Sequence, residues 1–210
     1  MASLNENINK LLIADTLIIP TPEYKKIIMD DGKVIEIFDN FLPKSKFEIF
    51  NKFHKKLSYT KMVNGEELVM YDNDFKIPPD IVIPEDIWDE STFPEKVKQS
   101  ISGLFRWYGA SYSSSYDMNS IGYHIDDHNF KTKTLILYTH ENWDYRWGAE
   151  VLFLNLDLTY GYSVLPMPNR LIIFDSTIIH AVSKSKIKNI KTYAVVTLYT
   201  TEERSRETTK

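Results

Sequence analysis

From Ala110 to Tyr199 the chain is a succession of short β-type segments, and no other feature limits its fold as much. Ser111 to Tyr116 alternates polar and aromatic residues, and Ser120 to Ile125 follows. Then come Thr134–Tyr138, Glu150–Leu154, Tyr162–Leu165, Arg170–Phe174, Ile178–Val182 and Tyr193–Tyr199. Asn142, Gly148, Asn155, Gly161, Pro166, Pro168 and Asn169 punctuate the series with turn-forming residues. Seven or eight short strands at this spacing predict an antiparallel sandwich or barrel. The abundant aromatics, 13 Tyr and 11 Phe among 210 residues, suit strands and pocket walls.

Upstream, the pattern is mixed. Leu11-Leu12-Ile13 and Thr16 to Pro20 read as short edge strands, and Asp30-Asp31-Gly32 reads as a turn. Val34–Asp39 predicts a strand. A helix is expected next, with Ser45 as N-cap and Glu48 completing a capping box. Phe47, Phe50, Phe53, His54 and Leu57 form its apolar face, with His54 as a packed or surface residue rather than a ligand. Residues 58–92 are broken by Pro78, Pro79 and Pro84 and read as an irregular covering segment. A second helix is predicted from Pro94, with Val97, Ile101, Leu104, Phe105 and Tyr108 on one face and Gly109 ending it. Two amphipathic helices need a sheet to lie against. The expected organisation is an arm over 1–33, one domain over 34–200 and a polar tail over 201–210.

Composition excludes several classes of chemistry. The chain has no Cys, so disulfides, thiolate metal sites and Cys nucleophiles are ruled out. The net charge of −4 gives no basic footprint for a nucleic-acid partner. No apolar run approaches the roughly 18 residues that span a membrane, and Met1 to Lys10 lacks the pattern of a signal peptide. A soluble, cytoplasmic protein without membrane contact is expected. The Lys184, Lys186, Lys188 and Lys191 cluster reads as a solvated connection between strands.

Chemistry concentrates at Gly122-Tyr123-His124-Ile125-Asp126-Asp127-His128. In an extended segment residues i and i+2 point to the same side. His124 and Asp126 therefore aim a neutral nitrogen and an anionic oxygen at one point. One further His would complete a two-His-one-carboxylate face, which suits non-haem Fe(II). His140 lies in a polar turn and His180 in an apolar strand. On its own a His flanked by aliphatics packs in a core, but the barrel context favours His180 as the third ligand. Asp127 and His128 read as rim or supporting residues, and Trp143 and Trp147 as packing or turn residues. Lys191 opens the last strand and could hold a carboxylate at the barrel mouth by a charge-assisted bond. A slip of one residue would put Thr192 there instead, and the anion partner would come from elsewhere.

These stretches together resemble the 2-oxoglutarate/Fe(II)-dependent dioxygenases, most closely the prolyl 4-hydroxylase-like branch. Tyr123-His124-Ile125-Asp126 carries the resemblance. So do Thr134–Tyr138 with Asn142-Trp143-Asp144, then Trp147-Gly148-Ala149-Glu150-Val151, then Pro168 to Asp175 running on to His180. Gly148-Ala149 departs mildly from the family's usual Gly-Gly. The resemblance implies a mainly β double-stranded β-helix, or jelly roll, with the N-terminal helices packed on one face. It implies His124, Asp126 and His180 as iron ligands, Lys191 as partner of the distal carboxylate of 2-oxoglutarate, and Tyr116 as a residue facing that co-substrate. Fe(II), 2-oxoglutarate and O2 follow as cofactor and co-substrates, and ascorbate is compatible. The implied reaction is hydroxylation of an unactivated C–H bond, with release of succinate and CO2. Retention of Asp126 favours hydroxylation over halogenation. The substrate is a peptide or protein, with a prolyl residue as the nearest analogy, or a small molecule. The alternative is a cupin-like jelly-roll metal protein that does not use 2-oxoglutarate, although the chain lacks a His-x-His pair.

Overall fold

The computed structural model of the protein describes residues 23–56, 60, 61, 67–70, 88–114, 121–129, 131–188 and 190–201. The apolar segments before Pro20, most of the covering segment, Tyr116 and the tail beyond residue 201 lie outside these residues. Twelve strands and two α-helices are present among the described residues. They are β1 (Glu23–Ile28), β2 (Val34–Asp39), α1 (Lys44–Lys56), β3 (Thr60–Lys61), β4 (Glu67–Met70), α2 (Glu95–Ser100) and β5 (Phe105–Ser114). Then come β6 (Ile121–His124), β7 (Lys133–Tyr138), β8 (Val151–Leu154), β9 (Gly161–Val164), β10 (Leu171–Asp175), β11 (His180–Val182) and β12 (Thr192–Thr200).

The strands form two sheets. One has eight strands in the order β1-β2-β10-β7-β12-β5-β4-β3, and the other has four in the order β6-β11-β8-β9. All pairings are antiparallel. The β-rich arrangement predicted from the segment spacing is therefore present, as two facing sheets with helices outside.

Alternation along each strand decides which layer a side chain enters. On β7, Leu135 and Leu137 face outward and join Phe50, Trp88, Val97, Leu171, Ile173 and Tyr199 beneath the helices. Ile136 and Tyr138 face inward and join Val151, Phe153, Ile172, Phe174 and Ala194 between the sheets. Fully burying a Leu or Ile side chain is worth roughly 1.5–3 kcal/mol, so each layer binds its side of the large sheet firmly. The buried indole and hydroxyl of the outer layer are paired. Trp88 Nε1 donates to the Tyr199 hydroxyl at 3.0 Å, and that hydroxyl donates to Glu90 at 2.7 Å.

Two local expectations are corrected. Ser45 lies inside the first turn of α1 rather than capping it, and Phe47 N already bonds to Pro43 O. Helix α2 is far shorter than the Pro94–Tyr108 span predicted. It stops at Ser100, and Gly103 turns the chain at φ +73°, a left-handed conformation that glycine adopts without strain. Phe105 onward then pairs along β12 as β5. The aromatic residues that mimicked a helical stripe belong to a strand whose partner lies about 90 residues away, and that pairing overrides the local period. Among the described residues, no helix is long and apolar enough to cross a membrane.

Candidate metal centre

His124 and His180 face one another across the small sheet. They are direct register partners between β6 and β11, and their ring centroids are 4.3 Å apart. Asp126 follows two residues after His124, where the chain leaves β6. Its backbone N–H donates to Ser176 O at 3.0 Å, which brings the carboxylate back over the same spot. His124 Nε2 lies 3.3 Å from Asp126 Oδ1, and His180 Nε2 lies 3.5 Å from Oδ2. One donor atom from each residue falls within a 4.8 Å cluster. A single ion about 2.1 Å from each of three donors at right angles would hold them roughly 3 Å apart. Each imidazole lies near that spacing from one carboxylate oxygen, and the three donors could converge on one ion.

The imidazoles are set up to donate. His124 Nδ1 lies 2.8 Å from Gly122 O, and His180 Nδ1 lies 3.0 Å from Ile178 O. A carbonyl only accepts, so each Nδ1 carries the proton and each Nε2 turns its lone pair toward the cluster. Burial pushes the His180 pKa down despite the opposing field of Asp126, which keeps that ring neutral. Burial alone would raise the Asp126 pKa. The neighbouring His124 and His180 rings and the hydrogen bond from Thr134 outweigh it and hold the carboxyl below its usual range. The chemistry is that of two neutral nitrogens and one anion converging, which is a cation site.

Exposure is lopsided. The His124 side chain is 39% exposed, and that of His180 is 4%. The centre thus opens past β6, where Tyr123 is also exposed, and is closed on the β11 side by Phe153 and Phe174. Further in, the Tyr138 hydroxyl is buried with no hydrogen-bond partner among the described residues. Burial drives its pKa well up, while the nearby Arg170 pulls it down and Glu150 pushes it further up. A buried polar atom without a partner costs roughly 1–3 kcal/mol, which makes a hydrogen-bonding ligand at this depth favourable.

Other candidate residues fall elsewhere. His54 and His140 are both buried away from the cluster. His54 Nδ1 lies 2.9 Å from Phe50 O and from Thr139 Oγ1. His140 spans Pro166 O and the backbone of Tyr193. Both are structural, as expected for His54. Trp143 Nε1 donates to Gly148 O, closing the turn before β8. Asp127 accepts from Asn129 N at the rim, and His128 is exposed. Lys191 is exposed and stands one residue before β12. Thr192 is buried and, by alternation, shares the inward face of Ala194. Thr192 therefore takes the inward register position. Tyr138, Thr134 and Ser176 were missed in the sequence. The parity of β7 was the available signal, because Thr134, Ile136 and Tyr138 lie two residues apart and share one face.

A family model of the 2OG-Fe(II) oxygenase superfamily matches residues 108–200, the stretch that contains all three clustered residues. Over these residues the chain is similar to that superfamily. Solved structures agree at the level of fold. A prolyl-4-hydroxylase from Pseudomonas putida superposes with TM-score 0.58 at 14% identity, over 80% of this chain and 92% of that one. A prolyl hydroxylase from Trichoplax adhaerens, in complex with a peptide fragment of the hypoxia inducible factor oxygen degradation domain, gives 0.57 at 14% identity, over 95% and 94%. HygX from Streptomyces hygroscopicus, with nickel and 2-oxoglutarate bound, gives 0.56 at 8%, over 81% and 84%. No curated protein matches in sequence. The fold is a jelly roll, and the match supports an enzyme that uses Fe(II), 2-oxoglutarate and O2. The donor set and the partnerless Tyr138 hydroxyl fit those groups.

The turn that brings β8 beside β11 explains the Gly-Ala dipeptide. A Cβ on Gly148 would lie 2.6 Å from Lys184 O, so this position must be glycine. Gly148 (φ +79°) and Ala149 (φ +66°) are both left-handed. Ala149 therefore occupies a conformation that a second glycine would adopt without strain.

Proposed function

We propose that His124, Asp126 and His180 hold Fe(II), and that the enzyme hydroxylates a C–H bond of a prolyl residue in a peptide or protein. The observation that carries the metal assignment is the convergence of two oriented Nε2 atoms and one carboxylate within 4.8 Å. Prolyl chemistry is supported by the open side of the centre, where His124 and Tyr123 are exposed and a chain-like substrate has room to approach. The two prolyl hydroxylases of similar fold agree with it. When bound, Fe(II) with 2-oxoglutarate and O2 supplies the oxidation that converts C–H to C–OH, releasing succinate and CO2.

The chain's own residues do the rest. The carbonyls of Gly122 and Ile178 hold the two rings in the donating tautomer. Asp126 offsets part of the cation's charge. Phe153 and Phe174 keep water from the buried side of the centre. The Tyr138 hydroxyl would donate to the distal carboxylate of 2-oxoglutarate, with Thr192 on the same inward face. Lys191 would contribute charge at the mouth.

The test is anaerobic titration of Fe(II) with and without 2-oxoglutarate, followed by turnover. A visible charge-transfer band that needs both components is expected. Succinate release should then rise with prolyl peptides, with a 16 Da gain on the peptide. Iron binding without the band would overturn the co-substrate assignment. Turnover of small molecules but of no peptide would overturn the substrate class.

A further inference from the structure

Resting on the metal assignment above, we propose that Thr134, backed by Ser176, is the positioning residue of the centre. Its hydroxyl holds Asp126 Oδ2 and so fixes the rotation of the carboxylate, with Oδ1 3.3 Å from His124 Nε2 and Oδ2 3.5 Å from His180 Nε2. Thr134 Oγ1 donates to Asp126 Oδ2 at 2.6 Å, and Ser176 Oγ lies 2.9 Å behind Thr134 Oγ1. Both side chains are fully buried. An ionised carboxylate only accepts, so the single Thr134 proton goes to Asp126. The hydrogen bond between the two hydroxyls must then run from Ser176 to Thr134, which gives the relay a direction.

The same residue also anchors the backbone. Ser176 O accepts from Asp126 N at 3.0 Å and from Asp127 N at 3.4 Å, while Ser176 N donates to Thr132 O at 3.1 Å. Ser176 lies between β10 and β11, four residues before His180. Side chain and main chain together therefore lock the loop bearing Asp126 to the turn that delivers His180. A carboxylate held in this way cannot rotate about its Cβ–Cγ bond without giving up the Thr134 hydrogen bond. Supporting residues of this kind are typically worth ~10- to 100-fold in metal affinity.

The experiment is Co(II) titration of the metal-stripped full chain, read by visible absorption and calorimetry, with apo-protein melting measured in parallel. Thr134→Val should weaken Co(II) binding ~10- to 100-fold and alter the d–d band pattern, with little change in the apo melting temperature. Thr134→Ser restores the hydroxyl and should return both to near wild type. Ser176→Ala should weaken binding at least threefold. His180→Ala is the control. If it loses Co(II) while Thr134→Val binds with wild-type affinity and spectrum, the positioning role falls and the ligand assignment stands. If His180→Ala binds as tightly as wild type, the ligand assignment falls and takes the positioning role with it. Should Thr134→Val fail to fold, wild-type affinity in Ser176→Ala overturns the proposal.

Discussion

Leu137 and Tyr138 are adjacent on β7, equally buried, and point into different worlds. Leu137 enters the layer beneath α1 and α2, where the polar atoms of Trp88, Tyr199 and Glu90 are paired with one another. Tyr138 enters the space between the sheets, where its hydroxyl has no hydrogen-bond partner among the described residues and the His124–Asp126–His180 cluster lies along the same face. In the outer layer the buried hydroxyl and indole are paired within the chain, and one amide oxygen, Asn51 Oδ1 on α1, has no partner among the described residues. In the inner layer the hydroxyl itself has no partner among the described residues. Burial alone does not separate the two faces; the partners of their buried hydroxyls do.

The comparison can be tested from both sides. The largest effect should come from the inner end. His180→Ala removes a donor from the cluster and should abolish turnover and strongly weaken Fe(II) binding, while circular dichroism and melting show an intact fold. On the outer face, Leu137→Ala should cost roughly 2–5 kcal/mol in urea unfolding, with the KM for 2-oxoglutarate unchanged. Its neighbour should do the reverse. Tyr138→Phe should leave the apo-protein as stable or more stable, since it deletes an unpaired hydroxyl. It should also raise the 2-oxoglutarate KM about tenfold, the equivalent of about 1.4 kcal/mol. A Tyr138→Phe enzyme with normal KM would end the distinction between the faces.

The outer layer should also set the acid side of the stability curve. Burial pushes the His54 pKa from 6.5 down to about 3, so the folded protein keeps this ring neutral while the unfolded chain protonates it. Between those values the unfolded state binds more protons. Stability should therefore fall as pH drops from about 6.5 towards 3, by at most about 1.4 kcal/mol per pH unit from this group. His54→Gln should flatten that slope in urea titrations run at stepped pH. The smallest effect is expected at the turn before β8. Ala149→Gly should stabilise by roughly 0.5–1 kcal/mol, because it relieves the left-handed alanine at φ +66°.

The strands were legible because turn residues bracket them and their side chains alternate, both of which are local signals. Val34–Asp39 appears as predicted, and β7 to β12 shift by no more than two residues at either end. The helix expected over Pro94–Tyr108 was misread because Leu104, Phe105 and Tyr108 fit a helical stripe and a strand equally well. A partner strand far along the chain decided between them. The meeting of His124 with Asp126 was legible from spacing, and the nearness of His180 from the barrel context together with the family resemblance. Thr134 was not legible as a partner of Asp126. That contact depends on how the turn over residues 127–132 folds back, and no periodicity records it. The register at Lys191 and Thr192 was ambiguous for a simple reason. A slip of one residue exchanges the two faces of a strand, and the residue types alone did not choose.

The carbonyl locks on His124 and His180 have a consequence for which ion the site takes in a living cell. A cluster whose donors are already aimed gives up little freedom when a cation arrives, whichever cation it is. Ions of similar size then compete on intrinsic affinity, and in that ranking copper, nickel and zinc stand above ferrous iron. Such a rigid cradle is a poor judge of metals. Loading with iron would depend on the supply at the moment of folding, and protein purified without control of trace metals should come out as an inactive mixture that chelation and ferrous reconstitution can rescue.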